Sequence, residues 1–189
     1  MKRIMFKKGF YTIALIYDEQ KTMFRQIVNN INVKPKYALN EVIAVAMNYN
    51  CARIYWELLY KNQMLFKKDK YDKVCSLVNS DHPGRKNMAF TKTDLMPMHI
   101  KIKDFWLDHI QNITDEECMK SGILKDSFGD MLSNDVIYYY YDTEKIVDPK
   151  YFPTPKKAYA DLFDEINGKG CWESNPLVYN YTFDVLELI

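Results

Sequence analysis

The chain contains little of what marks disulfide, zinc or membrane proteins. Its four cysteines stand far apart without a C-x-x-C pair, and its three histidines lack the spacing of a zinc site. No apolar run is long enough to cross a bilayer, and charged residues interrupt the apolar stretch that follows Met1. We therefore expect no signal peptide, no membrane partner, no metal ion and no cofactor. Free thiols in a reducing, cytoplasmic location are predicted.

The motifs of several common enzyme classes are also missing. The sequence has no P-loop, no nucleophile elbow and no glycine-rich dinucleotide motif. Its net charge is only +1, so any contact with nucleic acid has to be local. Apolar residues are abundant, because 48% of the 189 residues are hydrophobic and 15% are aromatic. These values predict one domain over 1–189 with a sizeable buried core.

The predicted secondary structure has a mixed order. Helices are expected at 10–18, 52–60, 71–78, in a short segment after Thr114, and at 155–166. Strands are expected at 3–6, 25–28, 41–46, 87–91, 99–110 (with a bulge), 136–141 and 177–189, with a loop at 126–134. In a doubly wound fold, strands and helices would alternate regularly along the chain. The observed mixed order favours an α+β fold around a small, mostly antiparallel barrel. Helices flank the barrel, and 50–85 forms a helical insertion.

Helix boundaries carry the clearest local signals. Thr154 is a good N-cap and Pro155 suits the first helical position, while Gly168 provides the stop. Thr114 and Glu117 have the spacing of a capping box. Gly122 is expected to end that helix.

Four stretches of the chain resemble the ASCH family of the PUA-like superfamily. They are 21–25, 40–46, 96–123 and 158–183, the last containing Asn-Gly-Lys-Gly-Cys-Trp and Asn-Pro. The resemblance is closest to family members from bacteriophage and prophage genomes, including those of Bacteroides-type bacteria. It implies a PUA-like β-barrel, which Trp172 would plug, and a cleft beside the first helix that holds RNA or a nucleoside. The residues implied at that site are Lys21, Thr22, Arg25, Glu117 and Ser121.

The resemblance also bears on catalysis. Some family members remove the acetyl group from acetylated cytidine with a Lys, a Thr and a Glu. Lys21 matches the Lys, but Phe24 and Ser121 stand at the other two positions. Thr22 and Glu117 carry the missing hydroxyl and carboxylate, but at shifted positions in the sequence. Displacing a catalytic group by about 1 Å can lower the reaction rate by two orders of magnitude. We therefore predict no catalytic residues and a non-catalytic module that binds RNA or a nucleotide-like molecule.

Two alternative functions from other functional classes remain. One is an amidohydrolase or nuclease that acts on modified nucleosides or RNA with an altered acid–base pair around Glu41, Asp115 or Glu117. The other is a prophage-encoded protein-interaction factor whose insertion presents Tyr55, Trp56 and Tyr60 to a partner. The insertion also carries a run of lysines, and two more lie on one strand; we interpret both groups as solvated faces. These lysines are Lys61, Lys67, Lys68, Lys70 and Lys73 in the run, and Lys101 and Lys103 on the strand.

Overall fold

A computed structural model of the chain describes residues 1–6, 21–28, 34–61, 67–127, 136–140 and 149–186. The predicted helix at 10–18 lies outside these residues. The described strands are β1 (Arg3–Ile4), β2 (Met23–Ile27), β3 (Val42–Val45), β4 (His99–His109), β5 (Leu124–Ser127), β6 (Val136–Tyr140), β7 (Lys150–Phe152) and β8 (Leu177–Leu186). The described α-helices are α1 (Tyr49–Lys61), α2 (Lys68–Asn79), α3 (Asp115–Lys120) and α4 (Pro155–Asn167). The α+β class is therefore confirmed.

The strands form two separate sheets. The larger has the order β1-β3-β4-β8-β2, with β1 parallel to β3 and all other neighbours antiparallel. The smaller joins β5, β6 and β7 in an antiparallel meander. The expected closed barrel is absent from the described strands, because each edge strand of the larger sheet has one neighbour. Apolar residues alternate along a strand in the same way in an open sheet and in a barrel. The sequence pattern therefore could not show whether the sheet closes into a barrel.

Two further local predictions need correction. Residues 87–91 do not form a strand, since Met88–Phe90 is a 3-10 turn capped by the Asn87 side chain. The predicted loop at 126–134 begins inside β5, which ends at Ser127; the rest of that loop lies outside the described residues. The bulge expected in the long strand is confirmed as a register shift between Ile102 and Asp104.

The helix boundaries follow the predicted caps. The Lys157 amide donates to Thr154 Oγ1 at 3.2 Å, and the helix that begins at Pro155 ends before Gly168, whose φ is +112°. The capping box is also confirmed, with Thr114 and Glu117 each accepting from the other's amide. None of the helices in the described part of the chain is long and apolar enough to cross a membrane.

Helices α1 and α2 share one core cluster with β3 and β4. Tyr55 and Trp56 are buried in it, and Trp56 Nε1 donates to the Leu95 carbonyl at 3.2 Å. Two of the three aromatic side chains expected to face a partner protein are therefore part of the core. Tyr60 is exposed. The interaction hypothesis therefore keeps one of the three side chains that motivated it and stays a prediction.

A second core cluster joins α3, α4, β6 and β8. Trp172 packs at the edge of this cluster, with its ring centroid 6.3 Å from those of Tyr159 and Phe163. It therefore covers α4 and does not plug a barrel as predicted. The two clusters meet where β2 runs beside α3, and this junction holds the predicted site.

Candidate functional site

The predicted site lies where the start of β2 meets the end of α3. Lys21 and Ser121 form an isolated antiparallel bridge, and the Thr22 amide donates to the Lys120 carbonyl at 3.0 Å. The Thr22 carbonyl accepts from the Phe183 amide of β8, also at 3.0 Å. The structure therefore brings together all five residues named from the sequence, across about 100 positions of the chain.

Local sequence rules position the α3 side of the site. The capping box fixes the start of the helix, and Ser121 follows its last residue as the C-cap. Glu117 and Ser121 are four residues apart, so both side chains lie on the same side of the helix, facing β2. Gly122, with φ of +101°, then turns the chain toward β5.

Arg25 is an almost completely buried charged group of the site. Its side chain is 2% exposed, and Nη1 donates to Ser121 Oγ at 2.5 Å. Nη2 lies 3.4 Å from Glu117 Oε2 and 3.4 Å from Met23 Sδ, while the guanidinium carbon is 5.1 Å from the Tyr159 ring centroid. Arg25 therefore links β2 to both α3 and α4.

The Ser121 hydroxyl is fully engaged within the protein. It donates to the Glu117 carbonyl at 2.7 Å and accepts from Arg25. Since its one proton is already donated to a carbonyl, this hydroxyl is not poised to act as a nucleophile. Cys118 is no better candidate, because burial above all raises the pKa of its thiol to about 12.

Lys21 differs from Arg25 in its electrostatic state. Its Nζ donates to the Ser121 carbonyl at 2.6 Å and lies 5.9 Å from the Phe6 ring centroid. Burial, followed by the positive charge of Arg25, lowers the pKa of Lys21 to about 7. Near neutral pH the amine is therefore divided between its charged and neutral forms, and a bound anion would favour the charged one.

The charges of the site do not balance. Lys21 and Arg25 are both cations at low pH, and Glu117 is the carboxylate that contacts Arg25. The neighbouring Glu116 is exposed and pairs with Lys120 at 2.6 Å. When Lys21 is protonated, the described residues place two cations and one carboxylate at the site, so their charge balance favours an anionic group.

Phe24 occupies the position at which the resemblance to the ASCH family implies a hydroxyl in the enzymes of that family. It lies on the opposite face of β2 from Met23 and Arg25, as alternation along a strand requires. The ring is buried and stacks on Tyr181 with centroids 4.8 Å apart. No hydroxyl therefore reaches Lys21 from this position.

The sequence did not point to two aromatic residues of the site. Phe6 lies beside Lys21, and Tyr159 lies under Arg25. Nothing in the sequence linked the helix that carries Tyr159 to β2, so the contact between Tyr159 and Arg25 could not be predicted. Burial raises the pKa of its hydroxyl, so Tyr159 stays uncharged beside Arg25.

The described residues offer no group of three or more His, Cys, Asp or Glu side chains that could hold a metal ion. His99 and His109 occupy the two ends of the long strand β4. Comparisons of the chain with protein-family models, curated proteins and solved structures found no match.

Proposed function

We propose that the chain is a non-catalytic RNA- or nucleotide-binding module of the ASCH type within the PUA-like superfamily. The ligand contacts Lys21, Thr22 and Glu117, and the buried Arg25 and Ser121 hold these elements together. The observation that carries the proposal is the charge balance of the described residues, since the Arg25 guanidinium and the protonated form of Lys21 stand against one carboxylate. The confirmed α+β class and the convergence of the five predicted residues support it further.

A phosphate group fits the chemistry of Lys21 well. The bond from Nζ to the Ser121 carbonyl fixes the amine, which lowers the entropy lost when a ligand binds. A phosphate oxygen near Nζ would favour the charged form of the amine and raise its pKa. The half-buried Phe6 ring beside it offers a surface on which a base could stack.

The first test compares the binding of a short single-stranded RNA to the wild type and to two methionine variants. We expect Lys21→Met to weaken binding roughly tenfold at low salt, because a charged hydrogen bond to phosphate is lost. Lys120→Met removes the same charge from an exposed side chain one residue from Ser121 and should bind like the wild type. Equal affinity of all three proteins, or no binding by any of them, would contradict the proposal.

A second candidate function is hydrolysis of a modified nucleoside or of RNA. The lowered pKa of Lys21 favours it, because a lysine base is most effective when its pKa is near the working pH. The buried Phe24 ring and the engaged Ser121 hydroxyl count against it. We expect no acetate release from acetylated cytidine and no cleavage of RNA. Product formation that Lys21→Met abolishes would replace the binding proposal with this one.

A further inference from the structure

A 3-10 turn beside β1 presents an exposed aromatic ring. Phe90 is the last residue of this turn and is 56% exposed. The Ala89 amide donates to the Asn87 side chain at 2.9 Å. The Thr91 hydroxyl donates to the Met88 carbonyl at 2.8 Å. Side chains on both sides of the turn therefore fix the backbone that carries the ring.

Arg3 of β1 fastens this turn to the larger sheet. Its Nη1 donates to the Thr91 carbonyl and its Nη2 to the Ala89 carbonyl, both at 2.9 Å. These two carbonyls belong to the neighbours of Phe90, so the guanidinium lies beside the residue that carries the exposed ring. Arginine has five N–H donors. In the described part of the chain, two of them meet carbonyl oxygens and none meets a carboxylate.

The chain on either side of the turn is basic. The segment 83–93 contains Arg85, Lys86 and Lys92 and no acidic residue. Lys86 and Lys92 are both exposed. The Lys92 amide donates to the Tyr49 hydroxyl at 3.1 Å, which fixes the backbone where the chain leaves the turn. Neither of these two lysines forms an ion pair with a described residue.

The acidic residues near the turn do not balance this charge. Asp81 and Asp94 lie just outside the two ends of the basic segment and are exposed. Neither forms an ion pair within the described ranges. Glu41 reaches β1 but is engaged there, because it pairs with Lys2 at 3.0 Å and accepts from the Ala38 amide at 2.9 Å. Four cations, Arg3 and the three of the segment, therefore stand against two exposed carboxylates.

We propose that Arg3, Lys86, Phe90 and Lys92, here called the Phe90 site, bind a second part of a single-stranded RNA. A base stacks on the Phe90 ring, and the phosphates beside it accept from Arg3 and pair with the two lysines. The inference rests on the proposed function for the class of its ligand. β1 and β2 are the two edges of the larger sheet, so the sites lie about 19 Å apart, which is four strand spacings. A longer RNA contacts both, whereas a single nucleotide reaches only one.

An exposed ring among cations favours a single strand over other polyanions. In a duplex the bases stack on one another, so none is available to cover Phe90. An acidic peptide would match the charges but would supply no base for the ring. The sheet face between the two sites carries the exposed Asp104 and Asp184, so we place no RNA contact there.

The first test measures the affinity of a single-stranded RNA of roughly twelve nucleotides. We expect Phe90→Ala to bind about tenfold more weakly, because one base loses its stacking partner. The dependence of its affinity on salt should stay that of the wild type, since no phosphate contact is removed. The matched control is Tyr60→Ala, which removes a ring of similar exposure from α1 and should bind like the wild type. Denaturant unfolding checks that both variants fold.

The second test measures the phosphate contacts through their dependence on salt. For Lys86→Gln/Lys92→Gln, the plot of log affinity against log salt should be less steep by about 1.4, because each phosphate contact to a single strand contributes about 0.7. The control Lys61→Gln/Lys73→Gln removes the same charge from two exposed positions of the insertion. It should leave the slope unchanged.

The outcomes separate the Phe90 site from the site at Lys21. If Phe90→Ala binds the RNA like the wild type while Lys21→Met binds it more weakly, the Phe90 site is wrong and the proposed function stands. If Phe90→Ala binds more weakly and Lys21→Met does not, the Phe90 site stands and the Lys21 site is wrong. Equal affinity for duplex and single-stranded RNA would overturn the Phe90 site, because stacking on the ring requires an unpaired base. Binding of an acidic peptide with no binding of RNA would overturn both.

Discussion

Replacement of Arg25 with methionine is expected to lower the free energy of unfolding by about 3 kcal/mol. The Arg25 side chain is 2% exposed, and its guanidinium contacts Ser121, Glu117 and the Tyr159 ring. The substitution therefore removes side-chain contacts between β2 and two helices. Methionine keeps most of the apolar stem and its packing, which isolates the effect of the charged contacts. Equilibrium unfolding by denaturant measures the change.

The control for this prediction is Arg53→Met on α1. Arg53 faces Glu57 at 3.9 Å, and both side chains are about 40% exposed. The same substitution there should cost less than about 1 kcal/mol, because exposed ion pairs contribute little. Similar losses at Arg25 and Arg53 would show that the buried contacts of Arg25 do not hold β2 to the helices.

The stability of the wild type is expected to depend on pH through Lys21. The pKa of Lys21 is about 7 in the folded protein and close to the ordinary lysine value of about 10.4 in the unfolded chain. Between these two values the unfolded state binds more protons, so the free energy of unfolding rises with pH in that range. The full shift corresponds to at most about 5 kcal/mol of stability gained over this range.

This prediction is measured as a difference between the wild type and Lys21→Met. Other groups titrate in the same range, but they contribute equally to both proteins and cancel in the difference. As the pH rises from about 6 to about 10, the free energy of unfolding of the wild type should increase relative to that of Lys21→Met. A difference that stays constant over this range would show that Lys21 titrates normally.

Local rules predicted much of the secondary structure. The caps at Thr114 and Thr154 and the stop at Gly168 depend on residues within a few positions of one another, so they can be recognised in the sequence. The long apolar pattern of β4 and the terminal strand likewise reflects one buried face. These predictions succeeded because they depend on interactions between residues that are close together in the sequence.

Sheet closure, by contrast, depends on contacts between distant strands. The partner of β1 is β3, some 40 residues later, and no residue of either strand signals that the pairing is parallel. The five residues that the resemblance implied lie close together where β2 meets α3, but no local signal in the sequence links these two elements, and their role as a binding site stays a prediction. The role of Arg25 could not be predicted, since its burial depends on Tyr159 and Ser121, far away in the chain.

We propose that Lys21 carries an incompletely balanced charge that an RNA phosphate completes. The most direct test is the pKa of the Lys21 amine, measured by NMR on protein with labelled lysine side chains, with and without short single-stranded RNA. We predict that Lys21 titrates near 7 in the free protein and that its pKa rises by one unit or more when RNA is bound. A pKa near the ordinary lysine value in the free protein, or one that RNA leaves unchanged, would contradict the account.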